Sequence, residues 1–185
     1  MACTTGQPEI ILLDVLTDPT DNRRHNWLRT SAAGTVGYDN TMTMSDRPVR
    51  GYRVPAGVGV ADRGPEVKAS GRSTYGSLTA IEVTVTEGPP RHTHTREDES
   101  FYVFTGLLDV ECGDDRFEAG PGSFVFLPRN LPHVFRPVDG PATALLIVTP
   151  GGLDEYFAEL HATLGAGGDR AAIADVQAKY GIVRS

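Results

Sequence analysis

The sequence predicts an all-β fold, an antiparallel barrel or sandwich, closed by two short C-terminal helices. Three observations lead there. From about residue 49 to residue 148 the chain reads as short runs of β-branched and aromatic residues between turn signals at nearly regular spacing. The 21 glycines and 13 prolines among 185 residues suit many tight turns better than a helical bundle. After Pro150-Gly151-Gly152 the apolar period changes from that of a strand to that of a helix.

The elements follow in order. Residues 51–55 and 67–69 are short strand candidates, and 78–86, with Ile81, Val83 and Val85, is a strong one. His92-Thr93-His94 continues the pattern before a turn. Residues 101–105 and 107–111 are separated at Gly106, and Cys112-Gly113-Asp114-Asp115 is a hairpin turn from which 116–119 returns. Residues 123–127 stop at Pro128, and 133–137 and 144–148 complete the strands. Leu153, Tyr156, Phe157, Leu160 and Leu164 share one helix face, while Ile173, Val176 and Tyr180 mark a second helix that Gly181 ends. The expected organisation is therefore an N-terminal arm over 1–45, mobile or exchanged in a dimer, a barrel over 46–150, and helices over 151–185 packed on it.

Composition excludes several functions. The formal net charge of -7 and a pI of about 5.2 argue against nucleic acid, whose phosphates call for a cationic surface. Residues 10–13 are the longest early apolar run and end at Asp14, too short for a signal peptide or a membrane span. The two cysteines, Cys3 and Cys112, suggest no disulfide. A cytoplasmic protein is expected. No phosphate-binding glycine loop, nucleophile elbow or Cys-x-x-Cys is present.

The chemistry concentrates in two segments. His92 and His94 are two apart on a strand, so both imidazoles point to one face. Glu99 opens the next strand after a four-residue turn, and an antiparallel return would set it beside the histidines. His133 opens another strand beyond the turn at Pro128-Arg129-Asn130. Three imidazoles and a carboxylate suit a borderline divalent metal, Zn, Ni, Co, Mn or Fe, and leave positions open for a substrate. By parity with Glu99 and His133, Phe101, Val103 and Phe135 face the interior and, with Val125, are expected to line an apolar substrate pocket. Arg91, Arg96, Asp98, Arg129 and Arg136 read as rim residues. His25 and His161 lie outside the motifs, and His161 is expected on the exposed side of its helix.

These residues resemble the two motifs of the cupin superfamily. His92, His94, Glu99, Gly106, Gly122, Pro128 and His133 stand at motif positions. Thr86 stands where the first glycine is usual, with Gly88 two residues on. Asn130 replaces the turn glycine, which its tolerance of the left-handed region allows, and Pro137 replaces the final asparagine. The resemblance covers roughly residues 50 to 150 and implies a double-stranded β-helix, or jelly-roll, barrel with one metal, a small-molecule substrate and a homodimer.

Residues 96–103, 126–133 and 149–157 are further similar to single-domain bacterial proteins like quercetin 2,3-dioxygenases. That likeness implies ring-opening oxidation of an aromatic or polyketide-like metabolite by O2, with Glu99 as base. A cyclase or isomerase of such a metabolite would need the same metal and base without oxygen. A small-molecule binding protein would need only the pocket.

Overall fold

The computed structural model describes residues 51–60 and 66–185, so the expected N-terminal arm lies outside the described residues. Eight strands and two helices follow one another: β1 (Val67–Ala69), β2 (Thr79–Val85), β3 (His92–His94), β4 (Asp98–Cys112), β5 (Asp115–Ala119), β6 (Phe124–Leu127), β7 (His133–Thr149), α1 (Leu153–Gly165), α2 (Arg170–Lys179) and β8 (Ile182–Arg184). Residues 51–55 form no strand. All strand pairings are antiparallel.

Two long strands organise the rest. β4 and β7 pair along almost their whole length, from Asp98↔Thr149 to Cys112↔His133. Each strand serves both ends of the barrel. At one end the order is β1-β2-β7-β4-β6, and at the other it is β8-β3-β7-β4-β5. This is a jelly-roll architecture. The segments 101–105 and 107–111, read from the sequence as separate strands, are thus one, and so are 133–137 and 144–148.

The reason both strands looked interrupted is a change of facing. In β4 the inward residues are Glu99, Phe101 and Val103, then Leu108, Val110 and Cys112, so odd positions give way to even ones. The switch falls at Gly106, whose φ is 77°. β7 switches at the same level, where Asp139 and Gly140 also have positive φ, and its buried set moves from His133 and Phe135 to Ala142, Ala144, Leu146 and Val148. The pairing register shifts at the same level, on either side of Thr105, as each strand turns from one end of the barrel to the other. A side chain at Gly106 has no room, because a Cβ there would lie 2.6 Å from Ala142 Cα and 2.7 Å from the Pro141 oxygen. Gly106→Ala is expected to destabilise the fold by about 2 kcal/mol or more, from left-handed strain plus displaced backbone. Urea unfolding measures it, and a change below about 0.5 kcal/mol would contradict this account.

The core is the barrel interior. Ile81, Val85, Phe101, Leu108, Val110, Leu127, Val148 and others are almost fully buried and form one cluster that also takes in Leu153, Tyr156, Val176 and Ile182. The helices are therefore part of the core. Asp154, in the first turn of α1, fixes their position: its Oδ1 accepts hydrogen bonds of 2.9 Å from the Gly71 N–H and from Thr79 Oγ1. Thr79 Oγ1 in turn accepts from the Gly152 N–H at 3.0 Å. Asp169 caps α2 by accepting from the Ala172 N–H at 2.9 Å. After Gly181, at φ 74°, the chain returns as β8 and pairs with β3 at His92↔Arg184 and His94↔Ile182. This strand is absent from the sequence reading. It covers the edge of β3 that would otherwise be bare. Among the described residues no helix is long and apolar enough to cross a membrane.

Candidate metal centre

His92, His94, Glu99 and His133 come together as the sequence spacing predicts. One ligand atom from each lies within 4.8 Å of the other three. The route differs from the expected one in one respect. β3 does not pair with β4; it pairs with β7 at His92↔His133 and with β8. Glu99 belongs to the part of β4 that pairs with β6 and with the far half of β7. The carboxylate therefore meets the imidazoles across the barrel interior and not from a neighbouring strand.

The rings are oriented locally. His92 Nδ1 donates to the Pro90 oxygen at 2.8 Å, and His133 Nδ1 donates to the Leu131 oxygen at 2.9 Å. In each case the acceptor is two residues earlier, just before the strand. Both Nδ1 protons are thereby occupied, and the Nε2 atoms turn inward. The Nε2 atoms of His133 and His94 converge on Glu99, and that of His92 lies against His94. Glu99 Oε2 lies 3.0 Å from His133 Nε2 and 3.3 Å from His94 Nε2, while the Nε2 atoms of His92 and His94 are 3.2 Å apart. Rings of His94 and His133 stack with an interplanar angle of 8°.

The turn before His133 is tied to the same place. Asn130 has φ 65°, the left-handed conformation expected of it, and its N–H donates to the His94 oxygen at 2.7 Å. Arg129 reaches Asp98 with its backbone N–H at 2.9 Å and its side chain at 2.7 and 3.0 Å. These bonds hold the Asp98 carboxyl down at about 2. Of the other rim cations, Arg91 Nη1 lies 3.3 Å and Arg136 Nη1 4.0 Å from Glu111, so much of the rim charge is spent in ion pairs.

The donor set of the cluster is one that could hold a cation. With two Nδ1 atoms committed to carbonyls, the neutral rings would turn lone pairs toward each other and toward a carboxylate. Burial would by itself lower the pKa of His94, but the neighbouring carboxylates of Glu97 and Glu99 outweigh it and push the ring up to about 9. Burial lowers His92 to about 4. Burial would raise Glu99, yet the hydrogen bonds with His133 and His94 hold it well below the usual carboxylate range. Three imidazole nitrogens with one carboxylate are a donor set suited to a divalent transition-metal ion. Glu97 Oε2 stands 3.8 Å from His94 Nδ1, too far for a hydrogen bond but placed to orient that ring after a small shift.

A cavity opens onto the cluster. His92, His94, Glu99 and Phe135 line it, together with Pro89, Pro90, Ile182 and Arg184. Its remaining wall is helical: Leu153, Tyr156, Phe157, Leu160 and His161 from α1 with Ile173 and Gln177 from α2. This corrects the expected pocket. Phe135 lines it, but Phe101, Val103 and Val125 are buried in the core and do not. Phe101 packs edge-on behind Phe135, with ring centroids 4.5 Å apart. His161 is likewise not on the exposed side of its helix. It lies on the cavity wall, eight residues from Leu153 and four from Phe157, a spacing that already places it on the apolar face. Its Nε2 is buried without a hydrogen-bond partner among the described residues, a condition that typically costs about 1–3 kcal/mol.

Residues 81–148 match the family model described as Cupin domain, a stretch that contains all four clustered residues. That stretch of the barrel is thus similar to cupin domains. No curated protein matches the chain. Among solved structures, KdgF from Halomonas sp. is 22% identical over 43% of this chain and 76% of that one, with a TM-score of 0.40. PAC13 from Streptomyces, solved with uridine, is 22% identical over 40% of this chain and 61% of that one, with a TM-score of 0.37. The DMSP lyase DddQ from Ruegeria pomeroyi DSS-3 is 30% identical over 40% of this chain and 39% of that one, with a TM-score of 0.36.

Proposed function

We propose that this protein is a metal-dependent enzyme acting on a small hydroxyaromatic or enolisable metabolite, with ring-opening dioxygenation as the leading reaction. One observation carries the reading: three imidazoles and one carboxylate converge, and two of those imidazoles and the carboxylate line a mostly apolar cavity. A structural metal would be enclosed by its ligands, whereas a site facing a cavity keeps positions for substrate.

His92, His94, Glu99 and His133 hold the metal. A divalent transition metal bound there supplies Lewis acidity toward a substrate oxygen and, for iron, nickel, cobalt or manganese, a route to O2 chemistry. The protein's own contribution lies in placement. The Pro90 and Leu131 carbonyls keep the His92 and His133 rings aimed inward. Glu99 stays ionised beside them and accepts the proton of the substrate hydroxyl. Phe135, Leu153, Tyr156, Phe157 and Leu160 exclude water and hold the apolar body of the substrate.

The test is metal content of the purified protein by mass spectrometry, followed by oxygen uptake with the flavonol quercetin after loading with iron, nickel, cobalt or manganese. About one metal per chain and oxygen consumption support the reading. Metal without oxygen consumption, but with conversion of the substrate under argon, would replace dioxygenation by cyclisation or isomerisation. No metal after reconstitution would remove the enzyme reading altogether.

A further inference from the structure

We propose that His161 is a substrate-positioning residue whose Nε2 accepts a hydrogen bond from a hydroxyl or N–H of the ligand, at a point remote from the atoms that meet the metal. The inference rests on the metal-site reading and adds a second anchor to it.

The ring is set for one role. His161 Nδ1 lies 2.8 Å from the Phe157 carbonyl oxygen one turn earlier in α1. A carbonyl only accepts, so Nδ1 carries the hydrogen and, in the neutral ring, Nε2 offers a lone pair. That atom is buried and has no partner among the described residues. His161 also shares its cavity with His92, His94 and Glu99. Around it the α1 wall is made of Leu153, Tyr156, Phe157 and Leu160, so an acceptor here is conspicuous. Buried acceptors are ordinarily satisfied, and a ligand donor entering this cavity would satisfy this one. The ligand class follows: a compact molecule with a chelating oxygen group at one end and a hydroxyl or N–H at the other. The hydrogen bond discriminates against analogues that lack the donor, because they leave Nε2 unpaired.

The experiment uses the zinc-loaded full chain, wild type and His161→Phe and His161→Gln, titrated calorimetrically with benzohydroxamate and its 2-, 3- and 4-hydroxy derivatives. The hydroxamate is the metal-binding group, and the ring hydroxyl scans the cavity wall. At least one hydroxy isomer is expected to bind wild type about tenfold more tightly than the parent, the size of one good hydrogen bond. That preference is expected to vanish in His161→Phe and to survive in part in His161→Gln, whose amide oxygen still accepts. The parent is expected to bind all three proteins equally. The ¹⁵N resonance of His161 Nε2 in wild type should move with the favoured isomer and not with the parent, which needs no variant to fold. An equal preference in wild type and His161→Phe, or an unmoved Nε2 resonance, overturns the role of His161 while leaving the metal site intact. Failure of the parent hydroxamate to bind, or of zinc to load, overturns the metal-site reading and this inference with it.

Discussion

Exchange of Glu99 for glutamine is expected to lower turnover by about 10²- to 10⁴-fold, the usual contribution of a positioned proton acceptor. The substitution keeps the shape of the side chain and removes its charge. Glu99 is almost fully buried, with its Oε2 3.0 Å from His133 Nε2 and 3.3 Å from His94 Nε2. An amide oxygen can keep those contacts, but it cannot take a proton from a substrate hydroxyl. Metal content is expected to stay near one per chain, since His92, His94 and His133 remain and their rings are oriented by contacts that do not involve Glu99, such as those to Pro90 and Leu131. Substrate turnover, measured beside metal content by mass spectrometry, separates the two effects. Activity within a few-fold of wild type would falsify the assignment of Glu99 as base. Loss of metal in step with activity would make it a ligand first.

The second large effect is thermodynamic. Metal at about a thousand times its dissociation constant is expected to stabilise the fold by about 4 kcal/mol. For a chain of this size that corresponds to a rise in Tm of roughly 8–16 °C, and His133→Ala is expected to abolish it. The effect depends on pH in a defined direction. His94 in the metal-free protein is pushed up to about 9 from an unfolded value of 6.5. The stability it contributes as a cation is fully present below 6.5 and is lost as pH rises through 9. His92 acts oppositely. Its folded pKa is lowered to about 4, so the unfolded chain takes up a proton more readily and stability falls as pH drops from 6.5 toward 4. The metal-free protein should therefore be most stable near pH 6.5. Metal must displace the His94 proton, so its affinity is expected to rise about tenfold per pH unit between 6.5 and 9, with about one proton released per metal bound. Thermal melts at pH 6.5 and 8.5, with and without zinc, give the comparison. A metal-induced rise in Tm that is equal at both pH values would contradict the coupling.

How much of this was legible in the sequence depended on the range of the physics involved. The metal cluster was legible because its logic is short-range. Two residues on a strand face one way, a turn follows, and each of the other partners begins a strand of its own. The left-handed Asn130 was legible for the same reason. The side from which Glu99 arrives was not, because it depends on which strands pair, and β3 pairs with β7 and β8 and not with β4. β8 was missed because three residues after a helix carry no period. The pocket was misassigned by extending one parity rule too far. Parity correctly buries Phe101 and Val103, but inside the barrel buried residues mostly meet one another. The cavity wall belongs to the helices, and there the spacing of His161 from Leu153 and Phe157 held a signal that its polar character obscured.

The cavity has two authors along the chain. Every clustered ligand lies between residues 81 and 148, the stretch that matches the cupin family, whereas its roof comes from residues 153–184. The ligand cluster and most of the wall that faces it are thus written in consecutive passages, with Pro89, Pro90 and Phe135 contributing to the wall from the first. If the cavity admits a substrate as proposed, changes on the helical side would alter selectivity more than metal binding. The arrangement lends itself to grafting: a foreign tail that keeps the Asp154 anchor and the β8 pairing would carry its own selectivity onto an unchanged barrel.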